Sequence, residues 1–171
     1  MILHTPRLEL RPWRMEDVEA AHKIYGDPHV TRYIGGHTPA DLDEMRAHLQ
    51  EKMARNAASP EGLGSWAVWH HEALIGNGLL KPLPGADGSP SGEVEVGWHL
   101  ARAWWGRGFA TEVGRRLLDH GLRKLKLSRI HAVMEPPNAA SQRVAVRLGM
   151  VHTGQTTAFY DGLTLEQYTT R

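Results

Sequence analysis

The chain lacks cysteine altogether. That excludes a disulfide scaffold, Cys-ligated zinc, iron–sulfur clusters and a cysteine nucleophile, and it agrees with a reducing compartment, so a cytoplasmic location is expected. No apolar run approaches the length of about 18 residues that a membrane-spanning helix needs. The opening MILHTPRLELRPW has no apolar h-region, so no secretory signal is expected. A strong charge of either sign is also absent: 20 Lys and Arg oppose 19 Asp and Glu, for a formal net of +1. Bulk charge therefore names no partner. What remains is an ordinary globular composition, with 41% apolar residues and six Trp among 171 residues. That length fits one domain, expected to span residues 1–171.

Charge is uneven along the chain. Between Arg102 and Arg129 there are eight Lys and Arg against Glu112 and Asp119. A segment of this kind faces either water or something anionic.

Periodicity predicts a mixed α/β (α+β) domain. Leu8–Trp13 reads as a first strand and 16–25 as a helix. A loop covers 27–37. A helix is expected to start at Thr38-Pro39-Ala40-Asp41, with Thr38 as its cap. Residues 65–70 and 73–81 read as strands, and 82–92 as a long Pro, Gly and Ser-rich connection. In Glu93-Val94-Glu95-Val96 both carboxylates share one strand face. A long helix follows at 109–125, then a strand at 129–134. A further helix, 138–148, is capped by Asn138 and stopped by Gly149. Two closing strands flank Asp161-Gly162, a hairpin signal.

Three constellations could carry chemistry. Trp105-Gly106-Arg107-Gly108-Phe109-Ala110-Thr111 lies between a strand and a long helix. Its glycines let free helix-start amides approach a phosphate, while Arg107 adds charge and Thr111 a hydroxyl. Asn138-Ala139-Ala140-Ser141 opens the next helix, at the same end of the neighbouring strand. Glu93 and Glu95 offer carboxylates for a general base, with Glu95 nearer the presumed reacting end. A Walker loop is missing, and G-x-G-x-x-G is incomplete at Thr111, so dinucleotide binding is a minor alternative. His71-Glu72 lacks the second histidine of a zincin, His70 and His71 point to opposite faces, and no metal site is expected. No G-x-S-x-G elbow exists.

Together, WWGRGFATE and, about 30 residues later, NAASQRVAVRLGM resemble the GNAT superfamily of acetyl-CoA-dependent N-acetyltransferases. The opening TPRLELRPWRMEDVEA and the closing hairpin resemble its branch of ribosomal-protein N-terminal acetyltransferases, so the likeness covers nearly the whole chain. It implies a mixed, largely antiparallel sheet with helices on both faces and two splayed central parallel strands, near 94–100 and 129–134. Acetyl-CoA, the implied co-substrate, would lie in the splay.

The resemblance assigns the pyrophosphate to Trp105–Ala110, where Trp105 replaces the usual Gln or Arg. It assigns the pantetheine arm to backbone groups of Trp98, His99 and Leu100 and to Asn138. The leaving-thiolate acid falls to Ser141, because the Tyr that many members carry in this helix is missing. Tyr33, Trp66, Glu93, Tyr160 and Asp161 are the expected walls of an acceptor cleft for a primary amine, either a protein N-terminus or a small molecule. A homodimer is compatible with this reading, but no stripe compels it. The rival from another class is an RNA- or ribosome-docking module built on the basic stretch 115–129, namely Arg115, Arg116, Arg123, Lys124, Lys126 and Arg129.

Overall fold

The computed structural model describes residues 1–171. Its frame is one eight-stranded sheet in the order β1-β2-β3-β4-β5-β6-β8-β7. The strands are β1 (Leu3–His4), β2 (Glu9–Pro12), β3 (Gly64–His70), β4 (Ala73–Pro84), β5 (Pro90–Leu100), β6 (His131–Met134), β7 (Val151–Thr156) and β8 (Leu165–Thr169). Neighbours run antiparallel except β5 and β6. That parallel pair is registered at a single position, Glu95 opposite His131. Beyond it, the β6-facing edge of β5 continues through Val96 to Leu100 without a strand partner on that side. The splay expected between these strands is therefore present, and a doubly wound dinucleotide fold, which needs a parallel sheet, is not.

Helices α1 (Val18–Tyr25), α2 (Pro28–Thr31) and α3 (Leu42–Ala58) precede β3, α4 (Phe109–Asp119) follows β5, and α5 (Ala139–Arg147) follows β6. The amphipathic face of α1 buries Val18, Ala21, Ile24 and Tyr25, and joins Met45 and Leu49 of α3 against Ala67. The other face of the sheet packs on α4 through Val113 and Leu117, with Leu10, Val68, Leu80 and Val96 beneath. A buried pair fastens β2 to the start of α1. Arg11 lies 2.6 Å from Asp17, which also accepts from the Arg14 amide at 2.8 Å. Between β4 and β5 the backbones crowd at Gly76, where a Cβ would stand 2.1 Å from the His99 carbonyl oxygen. No helix is long and apolar enough to cross a membrane.

Several local expectations are corrected. The 27–37 loop contains α2, because Asp27 caps it through the His29 amide and Pro28 fits the first position. Thr38 does not cap α3. Its hydroxyl meets that of Thr31 at 2.6 Å, and Asp41 is the cap, accepting from the Glu44 amide at 2.9 Å. The 82–92 connection is shorter than expected, since β4 runs to Pro84 and β5 starts at Pro90. The long helix loses α geometry after Asp119 and finishes as a π-helical turn, His120–Lys124. Asp161-Gly162 is not a two-residue hairpin loop but part of a turn, Tyr160–Gly162, within the longer 157–164 connection.

Candidate active site

The free edge of β5 leads directly into the glycine loop. Gly106 and Gly108 have φ of +72° and +81°, a region that disfavours side chains and turns successive amides to one side. None of the backbone N–H groups from Gly106 through Thr111 donates to a protein acceptor, whereas the Glu112 amide closes the first turn onto Gly108 O. An uninterrupted run of free donors thus stands at the positive end of α4. Phe109 contributes its amide only, for its ring is buried. The loop is braced from outside. The Trp105 indole donates to Leu100 O at 2.7 Å, and the Arg7 guanidinium lies 4.3 Å from the Phe109 ring centre, donates to Arg107 O and pairs with Glu112 at 2.6 Å. Trp105 therefore replaces the usual polar residue without removing an amide from the run.

The parallel neighbour repeats the arrangement. After β6, Asn138 caps α5 by accepting from the Ser141 amide at 3.2 Å. The Ser141 hydroxyl makes no hydrogen bond within the protein and is half-buried. Two helix starts thus open at the ends of the two strands that part. The donor run and the parted strands suit a pyrophosphate joined to an extended pantetheine arm.

Glu95 sits where the parting begins. Strand alternation puts Asn77 and Lys81 of β4, Glu93, Glu95 and His99 of β5, and His131 of β6 on one face. Glu95 is buried. Its Oε1 accepts from the Tyr160 hydroxyl and lies 3.2 Å from the Lys81 ammonium, while Oε2 has no partner in the protein. Burial raises the Glu95 pKa above the ordinary carboxylate value, and Lys81 and Tyr160 partly oppose that rise. Tyr160 is pushed upward in turn by its own burial and by the carboxylate, so it stays a phenol.

Glu93 behaves differently. It is held by Arg129 and by His131 at 3.0 Å, chiefly the Arg129 hydrogen bond keeps its carboxyl low, and it has no free role beside Glu95.

Along the same face lies a buried polar cluster that sequence reasoning did not find. Lys52 of α3 reaches inward to Asn77 Oδ1 at 3.3 Å, with its ammonium 5.2 Å from the ring centres of both Trp13 and Tyr25. Trp13 donates to the same Asn77 oxygen at 2.9 Å. The Tyr25 hydroxyl, Asn77 Nδ2 and His99 Nδ1 are buried without partners. Burial lowers the Lys52 pKa to about 7 and that of His99 to about 3. Lys81 and Asn77 were also missed, since only the β4–β5 register, which sets Lys81 against Glu95 and Asn77 against His99, brings them in.

The remaining expectations divide. Tyr33 approaches the start of α5, its hydroxyl 3.5 Å from Pro137 O. Asp161 is exposed in the turn beside Tyr160. Trp66 is a correction. It is buried on the α4 face, opposite Glu95, donates to Met1 O at 3.2 Å and packs edge-on to His120. The Trp98 indole also faces α4, at Gly114, leaving only its backbone toward the opening. In the basic stretch, Arg116 and Arg123 lie near Asp119 and Arg129 holds Glu93, so half of it is engaged within the fold.

Against this geometry, the family model described as "Acetyltransferase (GNAT) domain" matches residues 7–151. The chain belongs to the GNAT acetyltransferase family. The GNAT chain is 32% identical over 155 residues to the uncharacterized N-acetyltransferase p20 of Bacillus licheniformis, covering 89% of this chain and 83% of that one. Among solved structures it superposes on a GNAT-family acetyltransferase from Bacillus anthracis with a TM-score of 0.80, at 23% identity, covering 99% and 98% of the two chains. It also superposes on RimL, described as a ribosomal L7/L12 alpha-N-protein acetyltransferase in complex with coenzyme A, with a TM-score of 0.77 at 16% identity, covering 99% and 97%. At these identities the two structures establish the fold alone. The protein is an acetyltransferase with a mixed, open, mostly antiparallel sheet, and use of acetyl-CoA is what its family implies.

Proposed function

We propose that residues 1–171 form one acetyltransferase unit that transfers the acetyl group of acetyl-CoA to a primary α-amine by direct attack, with Glu95 as general base. The observation that carries this reading is a buried carboxylate with one unpaired oxygen at the point where β5 and β6 part. Bound acetyl-CoA would supply an activated acetyl carbon. The amides from Gly106 to Thr111 and the Arg107 side chain would hold its pyrophosphate, and Asn138 with the free edge of Trp98, His99 and Leu100 its pantetheine arm. The Leu100 carbonyl is already taken by Trp105, which leaves the amides of that edge to polarise the thioester carbonyl.

The acceptor must lose a proton before it attacks. For an α-amine, with a pKa of about 7.7–8.0, that costs about 1 kcal/mol at pH 7; for a lysine, at about 10.4, it costs about 4–5 kcal/mol. One carboxylate suits the easier task. Burial makes Glu95 more basic than a surface glutamate, while Lys81 and the Tyr160 hydroxyl keep its ionised form accessible and leave Oε2 facing the amine. Holding both reactants in one geometry supplies much of the remaining acceleration. Ser141, with its hydroxyl uncommitted, would return a proton to the departing thiolate. Tyr33, Tyr160 and Asp161 would line the acceptor side, in a cytoplasmic setting. RimL, which shares the fold, is an alpha-N-protein acetyltransferase, and the α-amine reading gives this chain an acceptor of the same kind.

The test is Glu95→Gln, assayed by thiol release with peptides that offer either an α-amine or a lysine as the sole amine. kcat is expected to fall about a hundredfold or more, with an unchanged KM for acetyl-CoA and loss of the acid limb of the pH profile. An unchanged kcat and pH profile would remove Glu95 from the mechanism, and a preference for lysine would overturn the α-amine assignment.

A further inference from the structure

Apart from the acetyl-transfer site, one cluster unites three side chains of metal-ligating type, one from the segment before α3 and two from α3 itself. His37 precedes α3, and Glu44 and His48 stand four residues apart on one face of that helix. His37 Nε2 is 2.6 Å from Glu44 Oε1, the two imidazoles are 5.1 Å apart between ring centres, and one donor atom from each of the three residues falls within 4.8 Å of the others. We propose that His37, Glu44 and His48 form a site for a borderline divalent cation of the Zn2+ class, which fastens the segment before α3 to the helix.

The surrounding contacts favour coordination over a simple ion pair. Glu44 Oε2 accepts from the Ala40 amide at 2.6 Å, so the second carboxylate oxygen is aimed by the helix cap and Oε1 is presented to the histidines. An outer contact of this kind orients a ligand. His48 meets the His37 ring edge-on and makes no hydrogen bond within the protein, so both its ring nitrogens are uncommitted. Two neutral imidazoles and one carboxylate match Zn2+, Co2+ or Ni2+ rather than Mg2+ or Ca2+, which take oxygen ligands. Ligands in a tetrahedral zinc site stand about 3.3 Å apart when bonds are about 2.0–2.1 Å. The three donor atoms, which lie within 4.8 Å of one another, must adjust to that spacing around the ion, and water completes the sphere.

The expected consequence is mechanical. The bound ion closes a loop from α3 back to His37 and holds the stretch that carries Tyr33, whose hydroxyl reaches Pro137 O at 3.5 Å. The site does not depend on the identity of the acceptor or on Glu95, because ion binding is measured with neither substrate present.

The experiment uses the full chain without a histidine tag, stripped with chelator and titrated with Zn2+ alone. The expected result is one ion per chain, a Tm that climbs with Zn2+ concentration, and slower amide exchange across residues 32–38. The double variant His37→Ala/His48→Ala, altered before α3 and on its second turn, should bind Zn2+ tenfold or more weaker and show no exchange change. Glu44→Gln, which keeps the Ala40 contact but loses the charge, provides a second variant whose circular dichroism should match the parent. No binding by the parent, or undiminished binding by the double variant, would overturn the proposal; the latter would place the ion on other histidines.

Discussion

Lys52 offers a sharp energetic test, because its ammonium has been carried into the fold without an acidic partner. The shift from 10.5 to about 7 corresponds to about 5 kcal/mol of disfavoured charge. Relaxation and water entry around the part-exposed stem bring the expected effect to about 3 kcal/mol. The sign follows from proton counting. Below about pH 7 the folded and unfolded chains both carry the proton, and the folded state bears the whole cost. Between about 7 and 10.5 the unfolded chain keeps a proton that the folded chain has shed, so stability rises with pH; above that window the cost is gone. Lys52→Met keeps most of the length of the side chain and removes the charge. It orphans no oxygen, since Trp13 still donates to Asn77 Oδ1. Urea unfolding of both proteins at pH 6.5, 8.5 and 10 should show the methionine variant ahead by about 3 kcal/mol at the lowest pH and nearly level at the highest. A difference that does not change with pH, or a variant less stable at pH 6.5, would refute the reasoning.

Other consequences follow from packing and pairing. Gly76→Ala forces a Cβ against the His99 carbonyl and the Leu100 side chain, so β4 and β5 must shift; a loss of about 3 kcal/mol is expected in denaturant melts, and a neutral result would show that the strands are not so close. Asp17→Ala strands the buried Arg11 guanidinium and frees the Arg14 amide, and should cost about 3–5 kcal/mol, whereas an exposed pair such as Arg14 and Glu16 should be nearly silent when broken. Asn138→Ala removes the cap of α5 and should cost about 1 kcal/mol by thermal melting, with weaker coenzyme binding if Asn138 also touches the pantetheine arm.

The sequence carried the fold where local chemistry and tertiary packing agree. The alternation at Glu93–Val96, the glycines before α4, the Asn138 cap and the Gly149 stop all occupy their expected places. It failed where a distant partner decides. Thr38 looks like a cap, yet it is drawn off by Thr31 while Asp41 takes the role. Trp66 is as aromatic as any cleft wall, but strand parity turns it toward α4. The composition of the site was similarly half-visible. Glu95 stands out as a candidate in the sequence because two carboxylates share one strand face beside the glycine loop, but its restraint by Lys81 and Tyr160 depends on cross-strand register and on a turn 65 residues away. Lys52 gave no local signal, since a lysine on a helix is normally solvated and only α3 docking above Asn77 buries its head.

Calorimetric titration with coenzyme A, set beside pantetheine, which lacks the diphosphate and the phosphoadenosine attached to it, probes the free amides of Gly106–Thr111 most directly. Coenzyme A should bind one per chain, with pantetheine about a hundredfold weaker or worse, as the loss of two charge-assisted hydrogen bonds requires. Equal affinities for the two ligands, or no heat with coenzyme A, would contradict the account.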